Sequence, residues 1–202
     1  MCDMKLKPTA ILFDMDGVLI DSLDSWWISL NSALKAFNYK EISKEEFIEK
    51  YWGYDLSDNL KKMGLKLEIG TFCSNVFSNQ IGEIRIYPDT KYTLQKLKEY
   101  KKSIITNTPK DCVYQILKKF NIEQYFDAVV TSDEVKMGKP DPSIIFKSCK
   151  ILNVDPKTVL LVGDTKNDVK AGKAANCKTV GIKIDADFTI QRLSEITKIL
   201  KI

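Results

Sequence analysis

Five short strand-like runs set the limits on what this chain can fold into. They are Ala10–Phe13 and residues 102–106, 126–131, 158–162 and 178–184. From residue 87 onward, each is separated from the next by a stretch whose apolar side chains recur at helical spacing. Strands that alternate with helices do not pair as hairpins; they enter one sheet side by side through right-handed crossovers, with helices on both faces. The predicted class is α/β, a doubly wound parallel sheet.

Residues 18–86 break that alternation, because only helical patterns occur there. A helix is predicted over 22–37, with Asp21 as its cap and Trp26, Leu30, Ala33, Leu34 and Phe37 on one face. Ser43 and Glu46 form a capping-box pattern for a second helix reaching Tyr51. Gly53 interrupts it, and Asp55 or Ser57 opens a third that ends near Gly64. A fourth covers 68–84, with Phe72, Val76 and Phe77 inward. The expected organisation is a helical cap domain, 18–86, without a strand of its own, inserted into a core made of 1–17 and 87–202. In that core, helices are predicted at 87–100, 109–120 (capped by Thr108, with Pro109 in its first turn), 141–153, 165–175 and 188–200.

Each strand end carries polar side chains. In an open α/β sheet, that edge is where ligands bind. The first run leads into Asp14-Met15-Asp16-Gly17, two carboxylates that packing does not explain, although an Asp-Gly turn remains the plain alternative. The second leads into Thr106-Asn107-Thr108-Pro109, where capping accounts for Thr108 but not its neighbours. Lys139 stands alone in Gly138-Lys139-Pro140-Asp141-Pro142, either as a site residue or as a solvated lysine on a rigid turn, with Asp141 a candidate helix cap. Gly163-Asp164-Thr165-Lys166-Asn167-Asp168 closes the set. The first and fourth strands are expected neighbours at the switch point, which would gather Asp14, Asp16, Asp164 and Asp168 in one crevice. Four carboxylates repel unless a cation neutralises them, and hard oxygen donors favour Mg²⁺. Thr106, Lys139 and backbone N–H groups could then hold a phosphate.

Histidine is absent, which excludes Ser-His-Asp and Cys-His catalysis and His-ligated zinc. No cysteine has an arginine six positions later, and neither a P-loop nor a Gly-x-Gly-x-x-Gly pattern occurs. The five cysteines (Cys2, Cys73, Cys112, Cys149, Cys177) are odd in number and unpaired in spacing, as expected of reduced, mostly buried thiols. Net charge is +4, with Arg85 and Arg192 the two arginines, so a clustered nucleic-acid face is not expected. No apolar run reaches the roughly 18 residues of a membrane span, and the first eight residues lack a signal-peptide core. A cytoplasmic protein acting on a small phosphorylated metabolite, as a monomer or homodimer, is the expectation.

Taken together, these stretches resemble the haloacid dehalogenase superfamily, specifically its phosphatases with a helical cap after the first strand. Asp14-Met15-Asp16-Gly17-Val18 looks like the first family motif, Thr106-Asn107 the second, Lys139 in Gly-Lys-Pro-Asp-Pro the third, and Gly163-Asp164 through Asp168 the fourth, in family order across the chain. The resemblance implies Asp14 as nucleophile, forming an aspartyl phosphate, and Asp16 as acid and then base. It implies Mg²⁺ held by Asp14, the Asp16 carbonyl and Asp164, with Asp168 behind them. It assigns Thr106, the Asn107 backbone and Lys139 to the phosphate oxygens, with Lys139 also offsetting the charge on Asp14. The cap aromatics Trp26, Trp27, Tyr51, Trp52 and Tyr54 are expected mainly in the cap's own core or its seam. Hinges are expected at 18–21 and 84–88.

A phosphatase for a small phosphomonoester, such as phosphoglycolate or a sugar phosphate, is the implied activity. A phosphomutase of the beta-phosphoglucomutase type is the alternative. Mutases of the family tend to carry a His on the first cap helix and an Arg after a cap Gly, where this chain has Trp26 and Leu56. A non-catalytic regulatory protein on the same fold is the remaining reading.

Overall fold

The structure is a computed structural model and describes residues 5–201. The chain opens with β1 (Ala10–Phe13) and β2 (Ile20–Asp21), then runs through α1 (Leu23–Ala36), α2 (Lys44–Lys50), α3 (Leu56–Lys62) and α4 (Glu68–Gln80). It returns through β3 (Arg85–Ile86), α5 (Thr90–Lys96), β4 (Lys101–Thr106), α6 (Lys110–Phe120) and β5 (Ala128–Thr131). The last part is α7 (Ser143–Leu152), β6 (Val159–Gly163), α8 (Lys166–Ala174), β7 (Lys178–Ile182), β8 (Phe188–Ile190) and α9 (Ile196–Ile199).

Six strands form one parallel sheet in the order β5-β4-β1-β6-β7-β8. The central strand shows why the fold is doubly wound. Side chains alternate along a strand, so Ile11 and Phe13 face a cluster holding Val113, Ile116 and Leu117 of α6. Ala10 and Leu12 face the opposite cluster, with Ile144, Ile145 and Cys149 of α7 and Ala171 of α8. All four β1 residues are fully buried, each large one contributing on the order of 1.5–3 kcal/mol. Parallel registry pairs Phe13 with Ile104 of β4 and with Val162 of β6. The loop after β1 therefore lies between the loops after β4 and β6.

The helices α1 to α4 pack around a third cluster, with Leu30, Ala33 and Leu34 against Phe47, Tyr51, Leu60, Ile69 and Cys73. Trp26 bridges to the sheet side by stacking on Phe77, with ring centroids 3.8 Å apart and planes at 14°. Among the described residues no helix is long and apolar enough to cross a membrane. Cys73, Cys112, Cys149 and Cys177 are free and buried; Cys2 lies outside the described residues.

Several local expectations are corrected. Residues 18–86 do contain strands: β2 and β3 form an antiparallel ribbon, Ile20 opposite Ile86 and Asp21 opposite Arg85, at the two places where the helical segment leaves and returns. Asp21 therefore lies in a strand and does not cap α1. Ser22 takes the capping position, but its hydroxyl serves Asp16 instead. Phe72 and Phe37 are exposed and touch each other edge-on at 5.9 Å, while Ile69, Cys73 and Phe77 face inward on α4. The helix expected over 87–100 shrinks to α5, and beyond its end the Leu97 and Tyr100 carbonyls accept from the Lys102 ammonium at 2.9 and 2.6 Å.

The helix expected over 188–200 is a strand, a 3₁₀ turn at Leu193–Glu195 and the short α9. Phe188, Thr189 and Ile190 alternate in burial and extend the sheet beside β7, a three-residue stretch too short to distinguish strand from helix by spacing.

Candidate active site

The three loops at the carboxyl edge of β1, β4 and β6 converge with the Lys139 turn. Asp14 follows β1 directly, its N–H bonded to the Val162 carbonyl at 2.9 Å, which continues the strand register one step. Its Oδ1 lies 2.7 Å from the Lys139 Nζ, and the same ammonium lies 2.7 Å from Asp168 Oδ1. Lys139 is 1% exposed, so the solvated-lysine alternative is set aside.

The Lys139 ammonium is positioned from behind. Asn107 Oδ1 accepts from the Lys139 N–H at 2.9 Å, and its Nδ2 donates to the Lys139 carbonyl at 3.0 Å. A Cβ on Gly138 would come within 2.4 Å of that Oδ1, so the turn needs glycine there.

Asp168 is locked twice over. Besides meeting Lys139, its Oδ2 accepts from the Thr165 N–H and hydroxyl at 3.0 and 2.6 Å, completing the capping box of α8. Asp164 is placed differently. Its Oδ2 accepts from the Trp52 indole at 3.3 Å, and its buried Oδ1 has no hydrogen-bond partner among the described residues. Gly17, at φ +74°, leaves it room, since a Cβ there would stand 2.0 Å from Oδ2.

Asp16 turns away from this cluster. Its Oδ2 accepts from the Thr108 and Thr106 hydroxyls at 2.7 and 3.2 Å, and its Oδ1 accepts from Ser22. Thr108 is thus not the cap of α6, which has no side-chain cap. Thr108 and Ser22 had looked like helix-start residues; only the folded chain places their hydroxyls on one carboxylate. Thr106 is likewise engaged with Asp16, and it accepts from the Thr108 N–H at 3.1 Å.

Burial and mutual repulsion shape the charges. Desolvation pushes the Asp14 carboxyl well above its ordinary value, with Lys139 pulling down and the other three aspartates pushing up. Burial and Asp168 raise Asp164 to about 7, against the Trp52 hydrogen bond and Lys139. Burial alone would lower Lys139; the two carboxylates beside it outweigh that and hold it above its usual range. Oxygens of Asp14, Asp164 and Asp168 all lie within 4.8 Å of one another. An all-carboxylate set with an unpartnered buried oxygen fits a hard divalent cation.

The helical segment closes over this edge. The Gly53 carbonyl accepts from Asn107 Nδ2 at 3.1 Å and from Asn167 Nδ2 at 3.2 Å, joining the α2–α3 loop to two of the strand-end loops. Trp52, expected mainly in packing, touches Asp164, and Asn167 had no signal in the sequence beyond its place beside Asp168.

The sequence matches the family of haloacid dehalogenase-like hydrolases over residues 11–182. The chain belongs to that family. As a haloacid dehalogenase-like hydrolase it is an enzyme, and curated relatives carry the names of phosphatases. It is 32% identical over 205 residues to the phosphoglycolate phosphatase of Aquifex aeolicus, covering 94% of this chain and 95% of the relative. It is 30% identical over 213 residues to the pyrophosphatase PpaX of Bacillus mycoides, covering 96% and 98%. The fold is shared with the beta-phosphoglucomutase of Clostridium difficile, at a TM-score of 0.84 and 21% identity over 94% of this chain and 93% of that one.

Proposed function

We propose that the chain is a Mg²⁺-dependent phosphatase that hydrolyses a small phosphomonoester through a phosphoryl group carried on Asp14. The observation that carries the reading is a buried carboxylate, Asp14, held 2.7 Å from a buried ammonium at the edge of β1, with Asp164 and Asp168 within 4.8 Å. A carboxylate so placed is a fixed nucleophile with its charge compensated.

Asp14, Asp164 and the backbone carbonyl of Asp16 would hold the cation, which supplies charge stabilisation to the transferring phosphoryl group. Asp168 has both oxygens engaged, with Lys139 and Thr165, and so acts by orienting Lys139.

In the first step an Asp14 oxygen attacks phosphorus, the ester P–O bond breaks, and Asp16 gives its proton to the departing alkoxide. In the second, Asp16 takes a proton from water as the oxygen of that water attacks phosphorus, releasing inorganic phosphate and free Asp14. Thr106, Thr108 and Ser22 hydroxyls can turn between donor and acceptor, so Asp16 finds partners in both protonation states. Lys139, Thr106 and the Asn107 N–H would bear on the phosphate oxygens.

Residues 18–86 act as a cap on a core of 1–17 and 87–202, swinging on the β2–β3 ribbon and latched through the Gly53 carbonyl. Trp26 and Leu56, standing where the family's mutases tend to carry His and Arg, line the cavity as uncharged side chains, which supports water as the acceptor. A cytoplasmic place of action belongs to the same reading.

The test is release of inorganic phosphate from a panel of metabolite phosphomonoesters with Mg²⁺. Turnover that a chelator stops and Asp14→Asn abolishes is expected; turnover retained by Asp14→Asn overturns the assignment.

A further inference from the structure

We infer that the leaving group this cavity accepts is an uncharged alcohol, presenting an aromatic or apolar face to the helical segment and a hydrogen-bond donor to Asn59. Carboxylated and second-phosphate leaving groups are disfavoured. The inference rests on the phosphatase reading for the reaction, and on the cavity alone for the specificity.

The space between Asp14 and the helices opens to solvent, and its far wall is Trp26, Phe47, Tyr51, Trp52, Tyr54 and Leu56. Aromatic ring faces carry negative charge density and attract apolar groups rather than anions. Lys139 is the one cation lining the cavity among the described residues, and Asp14 and Asp168 already compensate it. A bound divalent cation would add two charges to a site whose four carboxylates already outnumber its one ammonium, so no surplus positive charge would be left for an anion beyond the transferring phosphoryl group. Lys62 sits over the Tyr51 and Tyr54 rings at 5.4 and 5.0 Å, but its ammonium donates to the Lys50 carbonyl at 2.7 Å and it does not line the cavity. A second anion bound here meets no free counter-charge, and burying one unpaired is costly.

Asn59 supplies the polar half of the inference. It lines the same cavity, is 5% exposed, and donates from Nδ2 to the Tyr51 carbonyl at 2.9 Å. That bond fixes the amide orientation, because the reverse would set two oxygens against each other. Its Oδ1 is buried with no hydrogen-bond partner among the described residues. An acceptor left bare in an aromatic-walled site is satisfied by a hydroxyl or N–H and repels a carboxylate.

The experiment compares 4-(hydroxymethyl)benzyl, benzyl and 4-carboxybenzyl phosphate as substrates with Mg²⁺. The corresponding phosphonates, which cannot be hydrolysed, are titrated by fluorescence of the cavity tryptophans. At least a tenfold lower kcat/KM for the carboxylated ester than for the hydroxymethyl ester is expected, with the phosphonate Kd values in the same order. Leu56→Arg should shrink the carboxylate penalty, and Asn59→Leu should erase the advantage of hydroxymethyl over benzyl. Equal or better use of the carboxylated ester by the unaltered protein overturns the inference and leaves the phosphatase reading standing. The expected order of phosphonate binding with none of the esters hydrolysed keeps the specificity and overturns the phosphatase. Equal phosphonate binding with no hydrolysis overturns both.

Discussion

Asn107 grips Lys139 by its backbone on both sides, accepting from its N–H at 2.9 Å and donating to its carbonyl at 3.0 Å. The ammonium that meets Asp14 is thereby aimed by a side chain on a different loop. Asn107→Leu removes the grip while leaving Lys139 in the chain. A fall in kcat of the order of 10²-fold is expected, as for roughly 1 Å of misplacement, with a shift in melting temperature too small to account for it. Steady-state kinetics beside thermal melts decide it; an unchanged kcat counts against the positioning role.

Lys139→Met takes away the charge shared by Asp14 and Asp168 while both remain buried. Breaking a buried pair in this way costs about 3–5 kcal/mol. Denaturant unfolding should show that loss. Adding Asp14→Asn should restore part of it, because one orphaned carboxylate is then neutral; additive losses contradict the coupling.

Gly17→Ala tests the space kept for Asp164. The backbone there sits at φ +74°, and the new Cβ meets Asp164 Oδ2 at 2.0 Å. Both turnover and Mg²⁺ affinity should drop at least tenfold, read by kinetics and by calorimetric titration of the cation. Full retention of metal binding would place the cation elsewhere.

Stability should depend on pH in a direction set by Asp164. Its folded value is raised to about 7 from an ordinary 3.8, and burial pushes Asp14 the same way. Between those values the unfolded chain loses the proton while the folded chain keeps it. The folded state binds more protons, so stability is fullest below pH 4 on this account and declines as pH rises toward 7. Melts in a chelator should show that slope. On the proposed function Mg²⁺ binds the ionised carboxylates, so saturating Mg²⁺ should flatten the slope and raise the melting temperature at neutral pH. A chelator series without slope speaks against these carboxylates as the stability-limiting groups.

The legible part of the chain was what depends on local chemistry. Ala10–Phe13 announced a buried strand because it is short, apolar and followed by acids; Ser43 announced one helix start and Asp55 or Ser57 another, of which Asp55 is the cap, because capping is settled within three residues. The gathering of Asp14, Asp164 and Asp168 was also legible, since the first and fourth strands are expected neighbours across the switch point of a doubly wound sheet, whereas Asp16, expected with them, turns to Thr106, Thr108 and Ser22. Residues 188–190 were not legible, since three residues fit either period and only pairing with β7 makes them a strand.

Which partner each polar side chain takes was decided by the tertiary structure alone. Thr108 reads as a cap because that is its commonest local use, and Ser22 reads as the first residue of a helix capped by Asp21, yet both hydroxyls end on Asp16. Trp52 read as packing, yet its indole N–H lies on Asp164. The sequence determined five of the sheet's six strands, most of the helices and the acids at the sheet edge, because strand and helix spacing and turn chemistry are local. The folded chain decided the hydrogen bonds among them and the aromatic wall above them, because a hydroxyl or an indole satisfies whichever buried carboxylate comes within 3 Å or so, and that distance exists only once distant segments have met.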